Sequence, residues 1–118
     1  MTAADCMQSE PHCCVPHQRL LDALEIMGEE RMDWVAVVAT GASRQWLGWV
    51  TAYDAAVFLG SFDKRPSQVM CREVMTSPPA LLAPDMDVEQ AYTAIRAACV
   101  QRLPVIQNGT FTGVVRLP

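Results

Sequence analysis

The chain has 118 residues, 51% of them hydrophobic and 19% charged, with 9 Lys+Arg against 13 Asp+Glu and a net charge of -4. This is one domain's length with material for a real core, which excludes disorder and leaves an apolar face available for a partner. An acidic balance with Lys64 as the single lysine excludes an electrostatic nucleic-acid binder, and no apolar run approaches the roughly 18 residues of a membrane span.

Met1 to Asp5 offer neither the basic nor the apolar region of a signal peptide. The odd cysteine count of five fits reduced thiols in a cytoplasmic protein better than a disulfide scaffold. Residues 12–15 are short, apolar and flanked by prolines, as suits a short edge strand. Pro16 then leads into a helix in which Leu20, Leu24 and Met27 recur at helical spacing. Trp34-Val35-Ala36-Val37-Val38 reads as a strand, returned as residues 46–50 after a turn at Gly41. A short helix follows over 53–59, closed by Gly60, and residues 61–68 form a polar linker. Residues 80–83 read as a second short strand, and a second helix carries Val88, Ala91, Tyr92 and Ile95, with Asp85 or Asp87 as its cap. Leu103-Pro104-Val105-Ile106 runs into Asn108-Gly109, a strong hairpin signal, and returns as residues 111–115.

The two halves are copies of one unit. At an offset of 68 residues, Met7 meets Met75, Pro11 meets Pro79, Pro16 meets Pro84, Ala23 meets Ala91 and Gly41 meets Gly109. After three extra residues in the first copy the offset becomes 65, and Gly48-Trp49-Val50 meets Gly113-Val114-Val115. The order in each copy is strand, helix, strand, hairpin, strand. The first repeat is expected over 1–60, the linker over 61–68 and the second repeat over 69–118. The second lacks the last helix of the first, so either the sequence is a piece of a longer chain or another chain covers the exposed sheet face.

Val74-Met75-Thr76 opening the second copy, Arg102-Leu103-Pro104-Val105-Ile106 before its hairpin, and Gly48-Trp49-Val50-Thr51-Ala52-Tyr53-Asp54 after the first hairpin together resemble a tandem pair of CBS domains (cystathionine-β-synthase type), a Bateman module. The resemblance implies an α+β fold of two β-α-β-β-α repeats packed as a pseudo-twofold pair. It implies a regulatory sensor and not an enzyme, with no required cofactor. AMP, ADP, ATP or S-adenosylmethionine would bind between the copies, and occupancy would pass to an effector protein or domain or to a homodimer partner. Carried onto matching positions, Asp54 would hold the ribose and Thr51 would assist with phosphate. Thr76, Pro79 and Ala80, with Val100 and Gln101, would form the opposite wall. Trp49 and Tyr53 flank the motif, and Arg72 and Arg102 are the cations nearest in sequence logic to a phosphate.

Elementary chemistry agrees. A ribose presents a cis-diol that one carboxylate accepts, and Asp54, three residues after Thr51, shares a helix start whose free N–H groups favour phosphate. The blander reading is that Thr51 and Asp54 only cap that helix. The sister site has Arg116 where Thr51 stands, no match for Asp54, and Glu10 on its opposite wall, so at most one nucleotide per chain is expected. The three tryptophans suit core or dimer packing better than base stacking. Cys6, His12, Cys13, Cys14 and His17 lack zinc spacing, since adjacent cysteines on a strand face opposite ways, and no third group orients a thiol nucleophile. The competing function is a ligand-free dimerisation or protein-interaction module.

Overall fold

A computed structural model describes residues 1–118. In chain order its elements are helix α1 (Ala3–Cys6), strand β1 (Cys13–Cys14), α2 (Leu20–Glu30), β2 (Trp34–Val38), β3 (Trp46–Thr51), α3 (Ala52–Phe62), α4 (Cys71–Val74), α5 (Val88–Ala97), β4 (Arg102–Gln107) and β5 (Thr110–Arg116). In α2, Leu20, Ala23 and Met27 make one buried stripe at helical spacing. All five residues of β2 are buried, so it sits centrally, parallel to β1 and antiparallel to β3. In the second copy β4 and β5 pair antiparallel around Asn108 and Gly109, both at positive φ. Cys13 packs against one core cluster and Cys14 against the other, as alternation along a strand requires.

The duplication is written into the hydrogen bonds. The pairing of Cys14 with Val37 is matched by a parallel bridge from Leu82 to Val105. Antiparallel bridges tie Trp49 to Thr76 and, at the equivalent place, Gln8 to Val114. The glycines preceding those residues explain the close approach. A Cβ on Gly48 would lie 2.8 Å from the Thr76 carbonyl oxygen, and one on Gly113 2.7 Å from that of Gln8. On the pseudo-twofold axis itself, Trp34 Nε1 donates to the Arg102 carbonyl (3.2 Å) while Arg102 Nη2 donates to the Trp34 carbonyl (2.9 Å).

Three details differ from the sequence expectation. Helix α3 does not stop at Gly60 but runs to Phe62, where Asp63 closes it in the left-handed region. Phe58 and Phe62, one turn apart with ring centroids 4.7 Å from each other, stabilise that extra turn. The linker therefore loses its first residues to α3 and also holds a short 3-10 turn over Pro66–Gln68. The strand expected over 80–83 shrinks to the single bridge at Leu82. Finally, α1 and α4 were not expected as helices. Each starts with an acid that accepts the backbone N–H three residues before it, Asp5 from Thr2 (2.8 Å) and Glu73 from Met70 (2.7 Å). They are exchanged between copies: Ala3 and Ala4 donate to Met86 and Pro84 at the start of the second repeat's helix, whereas Cys71 and Arg72 donate to Gln18 and Pro16 before α2.

Arg102 is 2% exposed, and its guanidinium carbon lies 4.2 Å from the centre of the Trp34 ring. Its Nη1 donates to Glu10 Oε2 at 2.9 Å, and Glu10 is itself 8% exposed. Burial opposes ionisation of Glu10. Hydrogen bonds from the His12 ring and backbone N–H, together with the Arg102 charge, outweigh burial and hold the carboxyl below its ordinary value of 4.5. Glu10→Gln leaves a cation buried without its anion and should cost about 3–5 kcal/mol in urea unfolding at neutral pH, more than the double variant Glu10→Gln with Arg102→Met. Because the folded carboxyl titrates lower than the unfolded one, its contribution is full above 4.5 and disappears as pH falls through the folded value. The acid limb of a stability–pH curve should accordingly be shallower in Glu10→Gln than in the wild type.

Candidate functional site

Strand β3 passes without a loop into α3, and the junction builds the site. Thr51 caps the helix, its Oγ1 accepting from the Asp54 N–H at 3.0 Å. The first turn thus presents the Asp54 carboxylate beside a helix N-terminus whose Ala52 and Asp54 N–H groups already donate to the Asp33 carbonyl (2.9 Å) and to Thr51. The two backbone bonds between Trp49 and Thr76 (2.9 and 3.0 Å) bring the 76–79 segment alongside, and Thr76 Oγ1 donates to Asp54 Oδ2 at 2.9 Å. That bond fixes the carboxylate and leaves Oδ1 for another donor. The far wall is the end of α5 with Ala98, Cys99 and Val100, where Cys99 takes a left-handed backbone (φ 58). Between these walls lies a cleft of about 530 Å³, within the range of small-molecule sites.

Of the residues singled out in the sequence, Trp49, Thr51, Tyr53, Asp54, Thr76, Pro79 and Val100 line this one cleft. Ala80 does not reach it, and Gln101 lines a different one on the other side of the pseudo-twofold axis. Arg72 sits in α4 outside the cleft. Arg102 is not free for a phosphate here, since its guanidinium is held by Glu10 and the Trp34 carbonyl in the core. Trp34 is fully buried and Trp49 nearly so, with ring centroids 5.3 Å apart, so only an edge of Trp49 borders the cleft. Sequence reasoning missed Asp33, Ser77 and Cys99. Asp33 stands 68 residues before Gln101, so the expectation that put Gln101 at this cleft would have put Asp33 at the other, whereas Asp33 borders both. With Asp33 and Asp54 both present and no cationic side chain among the lining residues, the cleft is acidic. It is rich in acceptors and hydroxyls and poor in anion-binding groups apart from the α3 N-terminus.

The family model for the CBS domain matches residues 3–60 and again 71–117. The chain belongs to the CBS domain family. The duplication and the cleft between its halves are thus those of a CBS pair. An inosine-5'-monophosphate dehydrogenase of Staphylococcus haemolyticus is 25% identical over 109 residues, which cover 92% of this chain and 21% of that protein; the chain spans about a fifth of the length of that relative. Among solved structures, one described as an acetoin utilization protein (AcuB) from Vibrio cholerae superposes with a TM-score of 0.84 at 21% identity, covering 98% of this chain and 84% of that one. CBSX2 in complex with AMP superposes with a TM-score of 0.79 at 23% identity, covering 98% and 89%. At these identities the structures speak for the fold. No helix is long and apolar enough to cross a membrane.

Proposed function

We propose that the chain is a non-catalytic regulatory CBS pair, its repeats at 1–60 and 69–118 acting as one module that binds an adenosine compound in the cleft beside Asp54. The carrying observation is the Asp54 carboxylate at the start of α3, oriented by Thr76 from the other repeat. A ribose diol supplies the two donors such a carboxylate accepts, and the apolar edges of Trp49, Pro79 and Val100 suit an adenine face. That a fold neighbour was solved with AMP supports this reading. Charge refines it. A cleft with Asp33 and Asp54 and no cationic side chain at its wall favours ligands with little negative charge over triphosphates. S-Adenosylmethionine and AMP rank ahead of ADP, and ATP comes last.

Occupancy has a direct route outward. Helix α3 carries Asp54 at one end, while Tyr53, Val57 and Phe62 on it are 77%, 50% and 60% exposed. A ligand that fixes the first turn biases how these exposed apolar side chains are presented, by at most its differential affinity for the two arrangements. The same side chains favour a second reading, in which the module works chiefly as a dimerisation or docking unit.

In a thermal-shift panel, S-adenosylmethionine and AMP should raise the melting temperature more than ATP. The rise should vanish in Asp54→Ala, whose affinity falls at least about tenfold for a charge-assisted bond of 1.5–3 kcal/mol. No response to any of the four compounds would set the nucleotide reading aside. Light scattering checks the interaction reading: a dimer of the wild type that dissociates in Val57→Glu/Phe62→Glu supports the α3 face, and a dimer unaffected by those changes removes it.

A further inference from the structure

The cleft on the other side of the pseudo-twofold axis has the opposite charge. About 330 Å³ in volume, it is lined by Arg31, Met32, Asp33, Gln101, Arg102 and Arg116. Arg116 occupies the place of Thr51, and Arg31 that of Cys99. Arg31 closes α2 in the left-handed region (φ 53), so its side chain springs from a fixed point. Arg102 and Arg116 stand directly opposite each other on β4 and β5. Like charges in that position repel, and the Arg116 charge helps to press the Arg102 guanidinium pKa down, after burial itself. Glu10 offsets Arg102 from the core side. Neither Arg31 nor Arg116 has a carboxylate within 4.0 Å, and neither guanidinium makes a hydrogen bond. Asp33, on the rim shared with the first cleft, cannot neutralise both.

An acidic protein therefore holds a cross-strand arginine pair and a third, anchored arginine around one concave site, with the charges of Arg31 and Arg116 uncompensated. Guanidinium forks match the oxygens of a phosphoryl group in pairs. We propose that this second cleft binds a compact multivalent oxyanion of the phosphate or pyrophosphate type, through Arg31 and Arg116 with the Gln101 amide as a further donor. The two clefts of the module are then specialised, one for a nucleoside and one for an anion. This does not depend on a nucleotide occupying the first cleft.

Isothermal titration with sodium pyrophosphate, without divalent cations and against sodium chloride of equal ionic strength, tests it. Saturable binding should appear in the wild type and persist in Asp54→Ala. It should weaken at least about tenfold in Arg31→Gln and in Arg116→Gln, one charge-assisted bond being about 1.5–3 kcal/mol, with Arg116→Lys in between. Without pyrophosphate, Arg116→Gln should melt no lower than the wild type, because it removes a repulsion; if it melts much lower, Arg31→Gln carries the test alone. Absence of saturable binding overturns the proposal, as does unchanged affinity in Arg31→Gln. Loss of pyrophosphate binding in Asp54→Ala overturns it too, since the anion would then sit in the first cleft.

Discussion

A guanidinium sealed between two copies of a repeat must be neutralised where it stands, and the structure does so with Glu10, which hydrogen-bonds Arg102 at 2.9 Å. Arg102 in turn lies over Trp34 and exchanges backbone-directed bonds with it across the axis. Such a triad is rarely the most stabilising content for a core, because desolvating both charges absorbs much of what their attraction returns. What it supplies is definition. An apolar seam tolerates sliding, whereas a paired charge and two reciprocal hydrogen bonds are satisfied in one register only. With the seam fixed at Trp34 and Arg102, the bridges at Trp49–Thr76 and Gln8–Val114 fall into place on either side, and both clefts inherit their shapes from that alignment.

The scaffold is nearly symmetric, yet its chemistry is not. Besides the helix α3 that only the first copy carries, several departures from symmetry lie at equivalent positions where only the side chain differs. Trp34 and Arg102 are one such pair. Thr51 and Arg116 are another, converting a helix cap beside an acidic cleft into the rim of a basic one. Cys14 and Cys71, buried together, occupy places filled by Leu82 and Ala3 in the other copy. There the hydrogen bond with Cys71, then burial, pushes the Cys14 thiol up, while the same bond lowers the Cys71 thiol, so this pair acts as core filling with little thiolate on Cys14. Duplication thus gave a frame in which one site could change without unfolding the other.

The elements with strong periodicity were legible in the sequence. The stripe of α2, the all-apolar β2 and the Asn108-Gly109 turn follow from local rules, and the 68-residue offset supplies their pairing. Most of the first cleft was legible through the family resemblance, which placed Thr51, Asp54, Thr76 and Val100 around one ligand, and these four line the cleft. What escaped were facts that depend on long-range partners. Four-residue helices have no periodicity, and the exchange that puts α1 on the second repeat and α4 on the first is decided by hydrogen bonds to Met86 and Gln18. Arg102 was expected near a phosphate because nothing local announces a buried cation; its partner Glu10 stands 92 residues away. Gly60 looked like a helix stop because a glycine's preference is weak, and the stacking of Phe58 on Phe62 overrides it.

The placement of Asp54 carries a consequence for signalling. A ligand held only by loops would order those loops and little else. Here the carboxylate belongs to the first turn of an eleven-residue helix, and its Thr76 partner belongs to a segment hydrogen-bonded to β3. Under the proposed function, a sugar bound between them would be coupled to two rigid elements from different repeats, and a change in their spacing would move the whole of α3. Since that helix also exposes Val57 and Phe62, which border a cleft together with Asp54, a small displacement would change which residues meet a partner. Rigid elements with alternative packings transmit such shifts better than flexible ones, so in the proposed module the short passage from β3 into α3 would join recognition to output.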